Sequence, residues 1–186
     1  MFKSLTIKNS FSIYTKKLLL SLALIFSSLI PIESRSDSVS EYKIKTGFIY
    51  NFARFTQWPD KGNELKICIY GNDPFGHYID QLNSKKAGSK TIKIIRTNII
   101  DNIKSCQVVF LNITPHEEHK LETLLNEIKD SNILTMSDTQ NAVDYGVMVG
   151  FEIRNNRVTF EINYTAVKSA GLKISSQLLK IAKKVI

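Results

Sequence analysis

Two histidines spaced three residues apart have the residue type that could bind a metal ion. In His116-Glu117-Glu118-His119, helical geometry places both imidazoles on one face. The zinc-protease pattern needs two histidines four residues apart, and that spacing is absent. Pro115 also marks a helix start, which puts His116 in a solvated first turn. The sequence therefore predicts a helix terminus here and no metal site.

The segment Gly71-Asn72-Asp73-Pro74-Phe75-Gly76 follows a predicted strand and opens a helix, the setting in which loops hold anions. It lacks the GxGxxG fingerprint and the P-loop lysine, and Asp73 would repel a phosphate. Loops after strands are nevertheless where α/β folds place ligands. A small-molecule sensor that binds its ligand at the Gly71–Phe75 loop is therefore the alternative function, while the ligand-binding residues stay unknown.

Nucleophilic chemistry has little support among the remaining polar residues. Ser175 and Ser176 lie at a predicted helix start, where serine hydroxyls cap free N–H groups. The chain has no GxSxG motif, and neither Cys68 nor Cys106 has an evident histidine partner. The sequence predicts a protein that is not an enzyme, with no catalytic residue and no cofactor. An enzyme of unknown reaction is the third and least favoured alternative.

Residues 1–36 have the order of a secretory signal peptide. Four lysines and no acidic residue in the first 32 positions precede the uncharged run from Leu18 to Ile30, and Pro31 breaks it. The run is shorter than the roughly 20 residues that a membrane span needs. We expect cleavage near Ser36 and export to the periplasm, which leaves residues 37–186 as one domain. An uncleaved N-terminal anchor is the alternative.

Net charge falls once this segment is removed. Residues 1–36 hold five of the 25 basic residues and one of the 17 acidic residues, so the net charge drops from +8 to +4. Nucleic-acid binding requires a clustered basic face, and the sequence contains none. We therefore expect no nucleic-acid partner.

Both cysteines, Cys68 and Cys106, lie in the exported part of the chain. An even number of cysteines in an oxidising compartment favours a disulfide bond, which here closes a loop of 38 residues. Two separate buried thiols are the alternative.

Apolar periodicity alternates strands with helices over most of the chain, which indicates a parallel sheet. A first helix at 39–58 presents Ile44, Phe48, Phe52, Phe55 and Trp58 on one face. The predicted strands are 65–70, 91–96, 106–113 and 132–136, and the helices between them are 75–82, 98–104 and 115–129. A hairpin turning at Asn155-Asn156 follows, and then helices at 164–170 and 175–185. The predicted fold is a single α/β domain whose mostly parallel central sheet has helices on both faces and a C-terminal hairpin plus helix.

These motifs, in this order, resemble the YfiR family of periplasmic regulators over residues 41–185. The first helix carries the resemblance through YKIK, FIYNFA and the WP that ends it, and the following strand and loop carry it through ICI and DPFG. The set is completed, in chain order, by Cys106 with VVF, by LT and SD, and by FEIN and AGLKISS. A second cysteine pair and a Gly-Gly pair found in relatives are absent here.

The resemblance implies a soluble repressor that acts on an inner-membrane diguanylate cyclase. Binding to the enzyme's periplasmic sensor region would lower cyclic-di-GMP and biofilm formation. The resemblance implies two further associations. One is with an outer-membrane lipoprotein that sequesters the repressor, and the other is a homodimer of the repressor. The resemblance also implies a bridge between Cys68 and Cys106.

An apolar segment around Gly171 lacks the periodicity that would bury all of it. We therefore predict the partner-binding residues there: Tyr164, Val167, Leu172 and Ile174. Plain core packing is the alternative for each of them.

Overall fold

The computed structural model describes residues 36–59, 62–114, 116–117 and 119–186 of the 186-residue chain. Residues 36–186 form one compact unit. The predicted signal peptide lies outside the described residues, apart from Ser36. Within the described ranges, no helix combines the length and the apolar character that crossing a membrane requires.

The described residues form helices and strands that alternate along most of the chain. The helices are α1 (Ser36–Phe55), α2 (His77–Asp80), α3 (Ile100–Ile103), α4 (His119–Ile128), α5 (Tyr164–Ser169) and α6 (Ser176–Ile181). The strands are β1 (Thr56–Gln57), β2 (Glu64–Tyr70), β3 (Lys86–Ala87), β4 (Lys90–Thr97), β5 (Val108–Leu111), β6 (Leu134–Ser137), β7 (Val149–Arg154), β8 (Arg157–Ile162), β9 (Lys173–Ile174) and β10 (Lys184–Val185).

Eight of these strands form one sheet in the order β10-β8-β7-β6-β5-β2-β4-β3, and β1 pairs with β9 in a separate ribbon. The five central strands, β7, β6, β5, β2 and β4, are parallel to one another. The strands β8 and β3 run antiparallel to their central neighbours. The predicted α/β fold with a mostly parallel sheet is confirmed.

Both faces of the central sheet are covered, which is why its strands are apolar at successive positions. Successive side chains of a strand point to opposite faces. Ile67 and Ile69 therefore enter the core under α1, α2, α5 and α6, whereas Cys68 enters a second core under α3 and α4. Aromatic rings fill the first core, where Phe160 makes edge contacts with Phe48 and Phe52 at centroid distances of 5.1 and 5.2 Å.

The hairpin turn is confirmed at the predicted residues. Asn155 and Asn156 have φ angles of 50° and 59°, which asparagine tolerates better than most residues. The turn joins β7 to β8 in the register that pairs Arg154 with Arg157.

Two predicted helix ends are wrong for the same physical reason. The first helix ends at Phe55 rather than at residue 58, because Thr56 and Gln57 pair with β9. The last helix ends at Ile181 rather than at residue 185, because β10 adds to the sheet beside β8. In both places a two-residue strand pairing with a distant segment overrides local helical preference.

Candidate functional site

A cleft of about 730 Å³ lies between α1 and the carboxyl ends of β5, β6 and β7. Asn112 and Ile113 follow β5, Asp138 and Thr139 follow β6, and Arg154 ends β7. From β2 the chain crosses to β4, the neighbour of β2 on one side within the sheet, and then returns to β5, its neighbour on the other side. The direction of the strand order reverses between β2 and β5, so these two strands flank a topological switch point. Open α/β sheets bind ligands beside such points, outside the carboxyl ends of their strands.

Lys45 lies in the wall of this cleft and is 1% exposed. Its ammonium group lies 2.5 Å from Asp138 Oδ2 and also pairs with the carboxylate of Glu41, one helical turn earlier. A buried lysine requires such partners, because an unpaired charge in a protein interior costs several kcal/mol. The cluster therefore ties the N-terminal half of α1 to the end of β6.

Tyr42 completes the cluster. Its hydroxyl donates a hydrogen bond to Asp138 Oδ2 at 3.0 Å, and the Lys45 ammonium lies 4.4 Å from its ring centroid. Burial, followed by the nearby negative charge of Asp138, raises the pKa of Tyr42 well above its ordinary value. The phenol therefore stays protonated at neutral pH and acts as a fixed donor to Asp138.

The helical repeat explains why α1 places these side chains together, since residues four apart stand on the same face. Lys45 follows Glu41 by four residues and precedes the buried Ile49 by four. The sequence prediction missed Lys45, although a lysine with a glutamate at i−4 and an isoleucine at i+4 was the signal. The prediction also placed Ile44 on the core face, whereas 45% of it is exposed.

The Gly71–Phe75 loop lies next to the cleft but has its polar groups engaged within the protein. Asp73 Oδ1 accepts from the Phe75 N–H at 2.8 Å, and Asp73 Oδ2 accepts from Arg96 Nε at 2.7 Å. Phe75 is buried, with its ring 5.2 Å from that of Tyr42 and 4.7 Å from that of Phe110. The loop therefore supports the wall of the cleft.

The other polar residues from the sequence stand apart from the cleft. His119 begins α4, and His116 lies in the turn before it with a φ of 72°. Pro115 and Glu118 lie outside the described residues. Ser175 caps α6 as predicted, because its Oγ accepts a hydrogen bond from the Gln177 N–H at 3.3 Å.

The predicted disulfide is confirmed. Cys68 in the middle of β2 is bonded to Cys106, two residues before β5, and their Cα atoms lie 6.1 Å apart. Both cysteines are buried in the core under α3 and α4. The bond joins β2 to the residues that lead into β5, the neighbour of β2 in the sheet.

The predicted partner-binding residues are mostly buried. Val167, Leu172 and Ile174 lie in the core, at 0%, 2% and 6% exposure. Tyr164 is half-buried at the start of α5. These three buried side chains pack in the core and fix the shape of the segment, so only Tyr164 and its exposed neighbours are accessible on it.

Two solved structures are similar to this chain. One is the ABC domain in complex with L-Trp from Streptococcus pneumoniae, with a TM-score of 0.52 and 12% identity. The other is a conserved domain protein from Vibrio cholerae O1 biovar El Tor, with a TM-score of 0.49 and 9% identity. Each match covers 78% of this chain and 60% of the other. At these identities the likeness concerns the fold alone.

A family model described as YfiR/HmsC-like matches residues 42–183. The match begins at Tyr42 in the cleft wall and ends at Lys183, so it spans the central sheet, the disulfide and the segment of α5 and β9. This family is regulatory rather than catalytic. The chain belongs to the YfiR/HmsC-like family, whose members are periplasmic regulators in cyclic-di-GMP signalling.

Proposed function

We propose that this protein is a periplasmic repressor of an inner-membrane diguanylate cyclase. It binds the periplasmic sensor region of that enzyme and thereby lowers cyclic-di-GMP and biofilm formation. The family match over residues 42–183 carries the proposal, because it covers almost the whole described domain. The repressor itself is not an enzyme, and an N-terminal signal peptide delivers it to the periplasm.

Repression follows from mass action. A sensor region that exchanges between an active and an inactive conformation is shifted by any protein that prefers one of them. The shift is limited by the difference between the two affinities, so a hundredfold preference for the inactive form displaces the equilibrium by about 2.7 kcal/mol. No chemical step on the repressor is needed.

The contact surface of this proposal is the segment of α5 and β9. Tyr164 is its accessible aromatic residue, and the Lys168 ammonium lies 5.3 Å from the Tyr164 ring centroid. Thr165, Lys168 and Lys173 are exposed around it. Tyrosine is one of the residues that most often anchor protein interfaces.

Charge reversal on this surface tests the proposal. The double variant Lys168→Glu/Lys173→Glu changes exposed side chains, so it should leave the free energy of unfolding nearly unchanged. We expect its affinity for the purified sensor region to fall by about tenfold or more. Lys93→Glu on β4 is the control for a charge reversal away from this surface, since that side chain is 57% exposed and β4 lies towards the opposite edge of the sheet from β8.

The outcomes separate the parts of the proposal. If the wild-type protein and the sensor region do not associate, the repressor function is wrong. If they associate and the double variant binds as tightly as the control, only the assigned surface is wrong.

A homodimer and an outer-membrane lipoprotein are the remaining partners in this proposal. The lipoprotein would relieve repression by competing for the free protein, since any binder of the free form lowers its active concentration. Adding the purified lipoprotein to the repressor–sensor complex should release the sensor region, and sedimentation should give a dimer mass for the repressor alone.

A further inference from the structure

The cleft between α1 and the ends of β5, β6 and β7 has the volume of a small-molecule site. Its 730 Å³ falls within the roughly 300–1,000 Å³ of ligand pockets. We propose that it binds a neutral, polyhydroxylated molecule of the size of a mono- or disaccharide. This site differs from the loop that the sequence suggested, and it does not rest on the proposed repression.

The charges that line the cleft nearly cancel, because Lys45 and Arg154 oppose three carboxylates. Glu41 and Asp138 pair with Lys45, and Glu152 pairs with Lys183 at 2.6 Å, just outside the lining. Lys183 also pairs with Glu161 at 2.7 Å, so counting Arg154 the lining keeps a net charge of −1. This single charge disfavours an anion, and it gives a cation only a small Coulombic advantage because Lys45 and Lys183 already engage the carboxylates.

Hydrogen-bonding capacity remains after these ion pairs form. Among the described side chains, the pairs engage Oε1 of Glu41 and Oδ2 of Asp138, so the second oxygen of each carboxylate can accept from a ligand. Gln140, Asn141 and Arg154 are exposed members of the lining and add amide and guanidinium groups. Planar groups of this kind bond two neighbouring hydroxyls at once, because each presents two donors or acceptors side by side.

Apolar contact is confined to a small part of the lining. Ile113, Phe151 and Ile153 are its apolar residues, and Ile153 is 55% exposed on the side of β7. The C–H face of a sugar ring needs only a limited apolar surface of this kind, whereas a largely hydrophobic ligand would need a mainly apolar wall.

The acceptors are held in place before a ligand arrives. Lys45 and Tyr42 both bind Asp138, and Tyr42 packs on the buried Phe75. Because these groups do not need to be ordered on binding, a small polar ligand loses less of its affinity to conformational entropy.

Calorimetric titration with matched sugars tests this inference. The neutral probes are D-glucose, N-acetyl-D-glucosamine and maltose, and the charged probes are D-glucuronate and D-glucosamine, which keep the ring and add one charge. We expect at least one neutral sugar to bind saturably, at least as tightly as D-glucosamine and about tenfold more tightly than D-glucuronate, a difference of about 1.4 kcal/mol.

Two exposed residues locate the site. Gln140→Ala and Arg154→Ala should each weaken the binding of that sugar about tenfold and leave thermal unfolding unchanged. Arg157→Ala is the control, because Arg157 faces Arg154 across the hairpin but does not line the cleft.

Any of three results overturns the proposal. The first is that no neutral sugar binds saturably at millimolar concentration. The second is that a charged probe binds more tightly than every neutral one. The third is that Gln140→Ala and Arg154→Ala bind the sugar as tightly as Arg157→Ala does.

Discussion

Replacing Lys45 with methionine removes the cation that joins α1 to β6 and leaves a side chain of similar length. Lys45 is 1% exposed, so its charge is neutralised by Glu41 and Asp138 rather than by water. Removing one partner of a buried ion pair typically costs about 3–5 kcal/mol. The carboxylates retain 18% and 16% exposure, which places the expected loss near the lower end, about 3 kcal/mol.

A loss of this size is a large fraction of the stability of a typical domain. For a domain of about 150 residues it lowers Tm by about 6–12 °C. Urea unfolding of the oxidised, exported protein measures it, with the midpoint falling at constant slope. Lys43→Met is the matched control, because Lys43 is exposed on the same helix and should change stability by less than about 0.5 kcal/mol.

A double-mutant cycle identifies the partner. Asp138→Asn should destabilise the wild type. When Lys45 is already methionine, the same substitution should destabilise by at least about 1 kcal/mol less, or even stabilise the protein. A loss below about 1 kcal/mol for Lys45→Met, or additive effects of the two substitutions, would refute the buried ion-pair reasoning.

Three further substitutions test other parts of the structure. Cys68→Ser should lower the free energy of unfolding by about 4 kcal/mol in urea titrations, because it opens the 38-residue loop to Cys106, and thiol labelling of the unfolded wild type should find no free cysteine. Gly71→Ala should cost more than about 2 kcal/mol in the same titration, since its φ is 92° and a Cβ there would lie 2.3 Å from the Asn112 carbonyl oxygen. Tyr42 has a raised pKa in the folded state, so its contribution to stability is present below about pH 10 and is lost as the pH rises towards the folded value. An ultraviolet titration should show one late phenol that Tyr42→Phe removes, and a wild type whose phenols all ionise near pH 10 would contradict the burial.

The central sheet could be predicted from the sequence because its strands are buried on both faces. Runs such as Val108-Val109-Phe110-Leu111 are apolar at every position, and this pattern does not depend on distant contacts. The hairpin turn could also be predicted from local sequence, because Asn155 and Asn156 specify the turn by their own backbone preferences. The disulfide followed from cysteine number and compartment.

The site could not be predicted because it depends on segments far apart in sequence. Lys45 and Asp138 are separated by 93 residues, and the sequence around neither residue indicates that the two side chains pair. The same limit explains why the sequence did not reveal that Val167 and Leu172 lie in the core, since irregular apolar spacing suits both a core and an interface. The short strands β9 and β10 form only because their partners are already in place.

Cyclic-di-GMP in cells that encode this protein tests its proposed function most directly. The account predicts that deleting the gene raises cyclic-di-GMP and that the exported protein restores the original level. A form lacking residues 1–36 should fail to restore it, because it never reaches the periplasmic sensor region. Unchanged cyclic-di-GMP on deletion, or restoration by the form that is not exported, would contradict the account.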